Sequence, residues 1–129
     1  LGHIGLTPQS VLAAGGYRVQ GRKPAEARSI LKDALALEQA GVFAIVLECM
    51  PPALAVKITR AVAVPTIGIG AGAGCDGQIL VSHDILGLSV FTPKFVKRYA
   101  DLGGAMQKAF AKFKTEVEQG VFPDPAHGY

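Results

Sequence analysis

Glu48 is the residue in this chain best placed to do chemistry. It closes an uninterrupted apolar run, Val42 to Leu47, and is followed after two residues by Pro51 and Pro52, where a helical pattern begins. Such a run, rich in β-branched and aromatic residues, reads as a strand over 42–48 buried on both faces, as parallel sheets require. A carboxylate at the C-terminal end of a buried parallel strand stands where α/β folds place their ligand-facing groups, and it could remove or deliver a proton. A buried acid satisfied by a neighbouring cation or backbone N–H is the structural alternative, and both readings stand at this point. His3, between two glycines, occupies the corresponding place at the end of an earlier strand and could act as a polar contact or as an acid or base near neutral pH.

Other residues suggest chemistry less strongly. The run Gly68 to Gly77 contains Gly72, Gly74 and Gly77 at the spacing G-x-G-x-x-G after a strand. A dinucleotide fingerprint also needs a long helix at the last glycine and an acid about twenty residues further on. Here the β-like Gln78 to Val81 follows instead, so the run reads as a close-packed turn at the sheet's C-terminal edge whose N–H groups could line a site. His83 and Asp84 read as neighbours on a strand, pointing to opposite faces, and as structural. The three histidines and two cysteines lie too far apart in sequence to form a metal motif, and no carboxylate pair suited to Mg2+ is evident.

The elements that must position these groups follow from periodicity. Leu1 to Leu6 read as the end of a strand. Residues 7–23 form a long connection, with a short helical turn over Pro8 to Ala13, and such loops are commonly functional, here as a substrate lid or subunit contact. Pro24 opens a helix with Ala27, Ile30, Leu31, Ala34 and Leu37 on one side, and Gly41 follows its end. Pro52 opens a second, with Leu54, Ala55, Ile58 and Val62 inward. Thr66 to Gly70 form a short buried strand, and Gln78 to Asp84 a further one. Thr92 caps a helix bearing Phe95, Val96 and Tyr99, and Asp101 caps a last helix to about Glu118, with Met106, Ala109, Phe110, Phe113 and Val117 at helical spacing. Residues 121–129 read as irregular. Strand and helix alternate, which argues for a parallel α/β sheet, and four strands suit either a small open sheet or half of an eight-stranded barrel.

Composition narrows the classes. With 129 residues, 50% hydrophobic and 18% charged, the chain can build one core and is too apolar for disorder. No apolar run approaches the roughly 18 residues of a membrane span. The net charge of +3 is spread without a basic, aromatic-laced block, which argues against nucleic-acid binding. Cys49 and Cys75 read as reduced thiols of a cytosolic protein, and no signal-peptide pattern stands at the N-terminus. The first residues, without Met, read as starting in mid-element, as in a fragment, a cleavage product or part of a longer chain.

Five ordered blocks bear a resemblance: Gly2-His3-Ile4-Gly5-Leu6-Thr7-Pro8-Gln9, Gly16-Tyr17-Arg18-Val19-Gln20-Gly21-Arg22, Leu47-Glu48-Cys49-Met50-Pro51, Gly68-Ile69-Gly70-Ala71-Gly72 and Asp76-Gly77-Gln78-Ile79-Leu80-Val81. With Thr92 to Val96 and Val117 to Pro123, they resemble ketopantoate hydroxymethyltransferases over essentially the whole chain. The resemblance implies a (β/α)8 TIM barrel of which residues 1–129 supply the C-terminal half, about strands five to eight and the C-terminal helices. It implies a cytoplasmic homo-oligomer, typically a decamer, that adds a hydroxymethyl group from 5,10-methylenetetrahydrofolate to C3 of 3-methyl-2-oxobutanoate, in pantothenate biosynthesis. Glu48 then matches the base that forms the enolate, and His3 a residue beside the substrate. The Mg2+ ligands of such enzymes are expected in the other half of the barrel, so this chain alone is expected to be inactive. A catalytically silent assembly half and a small phosphate- or nucleotide-binding α/β module are the competing readings.

Overall fold

The computed structural model describes residues 1–10 and 16–129. Residues 1–80 and 81–129 form two compact units. The first holds four strands, β1 (Gly2–Gly5), β2 (Ile45–Glu48), β3 (Thr66–Ile69) and β4 (Gly77–Gln78), and two helices, α1 (Pro24–Gln39) and α2 (Pro52–Ala61). All strand pairings are parallel and the spatial order is β1-β2-β3-β4, the order of the sequence.

Both long helices cover the same sheet face. Ile4 on β1 and Ile45 and Leu47 on β2 share one side by strand alternation, and their cluster takes in Ala34 of α1 and Leu54, Ala55 and Ile58 of α2. Ile45, Leu47 and Ile58 are fully buried, and each contributes about 2–3 kcal/mol by leaving water. The opposite face carries His3, Val46, Glu48, Ile67 and Ile69 and receives no helix from this unit. A sheet wound in sequence order with helices on one side is the local geometry of a barrel wall, whereas a doubly wound sheet reverses its order and is covered on both sides.

Periodicity located α1 and α2 correctly, and Gly41 follows α1 with a left-handed φ of 83°. The strand expected over 42–48 is shorter, Ile45–Glu48, and Phe43 just ahead of it is 73% exposed instead of buried. The strand expected over 78–84 ends at Gln78, with one further bond from the Ile79 N–H to the Gly68 carbonyl. Its neighbour β3 stops at Ile69, where Gly70 turns at a φ of 66°, so a longer β4 has nothing to pair with. The expected turn over Pro8 to Ala13 begins as a 3-10 helix, Pro8–Ser10, and its remainder lies outside the described residues.

The second unit contains α3 (Ser82–Ile85) and α4 (Leu102–Glu118). His83 and Asp84 therefore stand on a helical turn and not on a strand. The helix expected from Pro93 does not form: beyond the turn bond from Val96 to Pro93, the Tyr99 and Ala100 N–H groups donate to the Ile85 carbonyl. Donors spent on that non-local acceptor cannot build an i→i−4 ladder. Asp101 does cap α4, its side chain accepting from the Gly104 N–H at 3.1 Å. Phe110, Phe113 and Val117 on that helix are about half exposed or more, so the apolar stripe expected of it is only partly covered among the described residues, Phe113 meeting the Phe122 ring edge-on at 5.4 Å. The tail, expected to be irregular, includes a 3-10 turn at Pro125–His127 capped by Asp124.

Candidate active site

β2 presents Glu48 at its C-terminal end because a two-residue alternation fixes which side chains share a face. Leu47 turns to the helices, so Val46 and Glu48 turn to the helix-free side. Register pairs His3 with Val46 and Gly5 with Glu48, which puts His3 diagonally across from Glu48 on the same face. The two side chains meet: His3 Nε2 and Glu48 Oε2 are 2.8 Å apart. Among the described residues, His3 alone hydrogen-bonds this carboxylate. Side-chain exposures of 34% for His3 and 18% for Glu48 leave both within reach of a small molecule.

The backbone around Glu48 is held tightly. The Leu6 N–H donates to the Glu48 carbonyl at 3.0 Å, and a Cβ on Gly5 would lie 2.1 Å from that same oxygen. With φ at 94°, Gly5 is the residue this close approach requires. Beyond Glu48, Cys49 adopts a left-handed φ of 50°, an uncommon conformation for a side chain other than Asn or Asp. Its N–H donates to the Ile69 carbonyl, and its own carbonyl accepts from the Gln20 N–H, each at 2.9 Å. These bonds turn the chain sharply from β2 toward Pro51 and α2. Burial pushes the Cys49 thiol up, the Glu48 charge pushes the same way, and the Arg22 guanidinium pulls it back. Arg22 is thus an electrostatic neighbour of this strand end, and neither it nor Gln20 was marked by any sequence spacing.

The glycine run behaves as a packed turn. A Cβ on Gly72, at φ 80°, would lie 2.6 Å from the Pro52 side chain, so the loop closes over the start of α2. Gln78 Nε2 donates to the Gly72 carbonyl at 2.9 Å. At its far end Asp76 Oδ2 accepts from the Thr66 N–H at 2.8 Å and from its hydroxyl at 3.0 Å, and Thr59 bonds the same hydroxyl. Those bonds, the backbone one first, hold the Asp76 carboxyl below its ordinary value. The last glycine opens β4 and not a helix, so the dinucleotide geometry is not made.

Among the described residues no group of three or more His, Cys, Asp or Glu could hold a metal ion. One histidine and one carboxylate do not make the oxygen-rich set that Mg2+ takes, so the described residues of this site do not fit that ion. No helix among the described residues is long and apolar enough to cross a membrane.

A parallel α/β sheet wound in sequence order, with the helices of its unit on one face and the Glu48–His3 pair on the other, is consistent with a TIM-barrel family domain. The chain belongs to the ketopantoate hydroxymethyltransferase family, whose model matches residues 1–125. Its relatives include the 3-methyl-2-oxobutanoate hydroxymethyltransferases of Enterococcus faecalis, 58% identical, and of Moorella thermoacetica and Oleidesulfovibrio alaskensis, each 59% identical. Every one of these matches covers the whole chain, and respectively 47%, 48% and 45% of the relative. The chain therefore spans about half the length of the curated relatives it matches. The resemblance put it at strands five to eight; that C-terminal placement does not follow from these comparisons, which support a half-length stretch of the family's fold.

Proposed function

We propose that the chain forms one half of a (β/α)8 barrel that transfers a hydroxymethyl group from 5,10-methylenetetrahydrofolate to C3 of 3-methyl-2-oxobutanoate, giving 2-dehydropantoate. The observation that carries this reading is the Glu48 carboxylate at the end of β2, facing away from the helices and held by His3. Proton removal next to a ketone needs a base fixed within reach of that carbon. Glu48 takes the C3 proton and the electron pair moves toward the ketone oxygen. C3 then bonds to the donor's methylene carbon as that carbon's bond to one donor nitrogen breaks, water supplies the hydroxyl as the bond to the other nitrogen breaks, and tetrahydrofolate leaves with two protons, one taken from C3 and one from the water. His3 orients the carboxylate, and its exposed edge faces the same space. Mg2+ finds no ligand set among the described residues, so the roles assigned here are proton removal and orientation only.

The other half of the barrel is the partner this reading requires. A parallel sheet is covered on both faces, and here Ile67, Ile69 and the two polar residues face outward with β1 and β4 as edges. Within this reading the assembled enzyme is a cytoplasmic homo-oligomer. The test is a transfer assay of the enzyme containing this chain together with the remainder of the barrel. The reading expects 2-dehydropantoate from both co-substrates and loss of at least a hundredfold in kcat on Glu48→Gln. Full activity of that variant would leave the silent assembly role standing in its place.

A further inference from the structure

A cleft lies on the segment that hydrogen-bonds Cys49, the residue after the candidate base. The segment 17–23 forms a cleft of about 540 Å³ lined by Tyr17, Arg18, Val19, Arg22, Lys23 and Glu26. Its volume suits a cofactor-sized ligand and is generous for a small keto acid. Three cations stand against one carboxylate there. Glu26 lies 4.0 Å from Lys23 and offsets part of that residue's charge, leaving Arg18 and Arg22 in excess. Tyr17 is 80% exposed, its ring open to a flat partner. The segment is tied in place: Gln20 Nε2 donates to the Arg18 carbonyl at 2.9 Å, and the Gln20 N–H bonds the Cys49 carbonyl, one residue beyond Glu48. The second cleft, lined by His3, Ile4, Asp33, Ala36 and Leu37, has an acid and no Lys or Arg, so it does not suit an anion.

We propose that the cleft of Tyr17, Arg18, Arg22 and Lys23 binds the aminobenzoyl-glutamate tail of the one-carbon donor, a proposal that rests on the transfer reaction inferred above. The tail's chemistry matches the lining. An aromatic ring can lie on Tyr17, and the glutamyl carboxylates, which multiply in polyglutamates, meet the two guanidiniums and Lys23. Attachment of the segment to the strand end of Glu48 places the tail where the one-carbon end of the same molecule can approach C3 of the keto acid.

The test is calorimetric titration of the assembled enzyme with p-aminobenzoyl-triglutamate and with its monoglutamate, neither of which can react. The unsubstituted enzyme should bind the triglutamate more tightly, and less tightly as salt rises. The double variant Arg18→Gln/Arg22→Gln should weaken triglutamate binding tenfold or more and monoglutamate binding less. Lys32→Gln, which removes an exposed charge elsewhere on α1, should stay within twofold. All three substituted side chains lie at the surface, and matched thermal midpoints show that the variants fold. No binding by the unsubstituted enzyme, binding by the double variant within twofold of it, or equal weakening by Lys32→Gln overturns the proposal. Tail binding through the two arginines in an enzyme without transfer activity would sink the proposed reaction and leave the cleft assignment intact.

Discussion

His3 Nε2 touches Glu48 Oε2 at 2.8 Å although the ladder pairs His3 with Val46, so the contact is a diagonal one across two parallel strands. A carboxylate held this way has its orientation set from a neighbouring strand. His3→Ala should lower kcat by about ten- to a hundredfold, the scale of a misplaced reacting group, through lost positioning. His3→Gln keeps an N–H donor and should recover part of that loss. Steady-state kinetics of the two variants check it, and equal activity of all three enzymes would remove the positioning role.

Cys49 reports on the same strand end. Its thiol is pushed up by burial and by Glu48 and pulled down by Arg22, so near pH 8 it should alkylate with iodoacetamide more slowly than a free cysteine. Glu48→Gln removes a charge that disfavours the thiolate and should speed the reaction. Arg22→Gln removes one that favours it and should slow the reaction. Mass spectrometry of the Cys49 peptide reads both, and opposite signs would place the charges elsewhere.

The Asp76–Thr66 clip makes an acid-side prediction. Because the folded carboxyl sits below its ordinary value, the unfolded chain binds the proton more readily, and stability rises with pH between the two values. The contribution is present above about pH 3.9 and is lost as pH falls through the lower folded value. Asp76→Asn should therefore flatten the decline of the urea midpoint below about pH 4. An unchanged slope would show that the clip does not form.

Thr66 is fully buried and shares its hydroxyl with Asp76 and Thr59. Thr66→Val strips those partners and should cost about 1–3 kcal/mol. Leu47→Ala, opposite α1 and α2, should cost about 2–5 kcal/mol through the cavity it leaves. Denaturant unfolding at neutral pH measures both, and the order should follow the lost volume and bonds rather than surface charge.

α1, α2 and β2 were legible because local pattern and tertiary packing agree: the residues spaced to face a core do face one. Glu48 was legible by its place at the end of an apolar run. Residues 93–99 were misread because a Pro-initiated pattern competes with the Ile85 carbonyl, an acceptor that no local window contains. The strand over 78–84 was overextended because its length is set by where β3 ends. Cys49's left-handed backbone and the approach of Arg22 to the strand end arise from folding the long connection back onto β2. The spacing gives the apolar stripe of α4 but not its exposure: among the described residues Phe113 meets Phe122 while Phe110 and Val117 stay about half exposed or more, a property of the three-dimensional unit.

The most direct test of Glu48 as the enolising base needs no one-carbon donor. The enzyme assembled with the rest of its barrel is incubated with 3-methyl-2-oxobutanoate in D2O, and loss of the C3 proton signal is followed by NMR. The unsubstituted enzyme should exchange that proton, and Glu48→Gln should slow the exchange at least a hundredfold while still binding the keto acid. Exchange by Glu48→Gln at the unsubstituted rate would contradict the assignment.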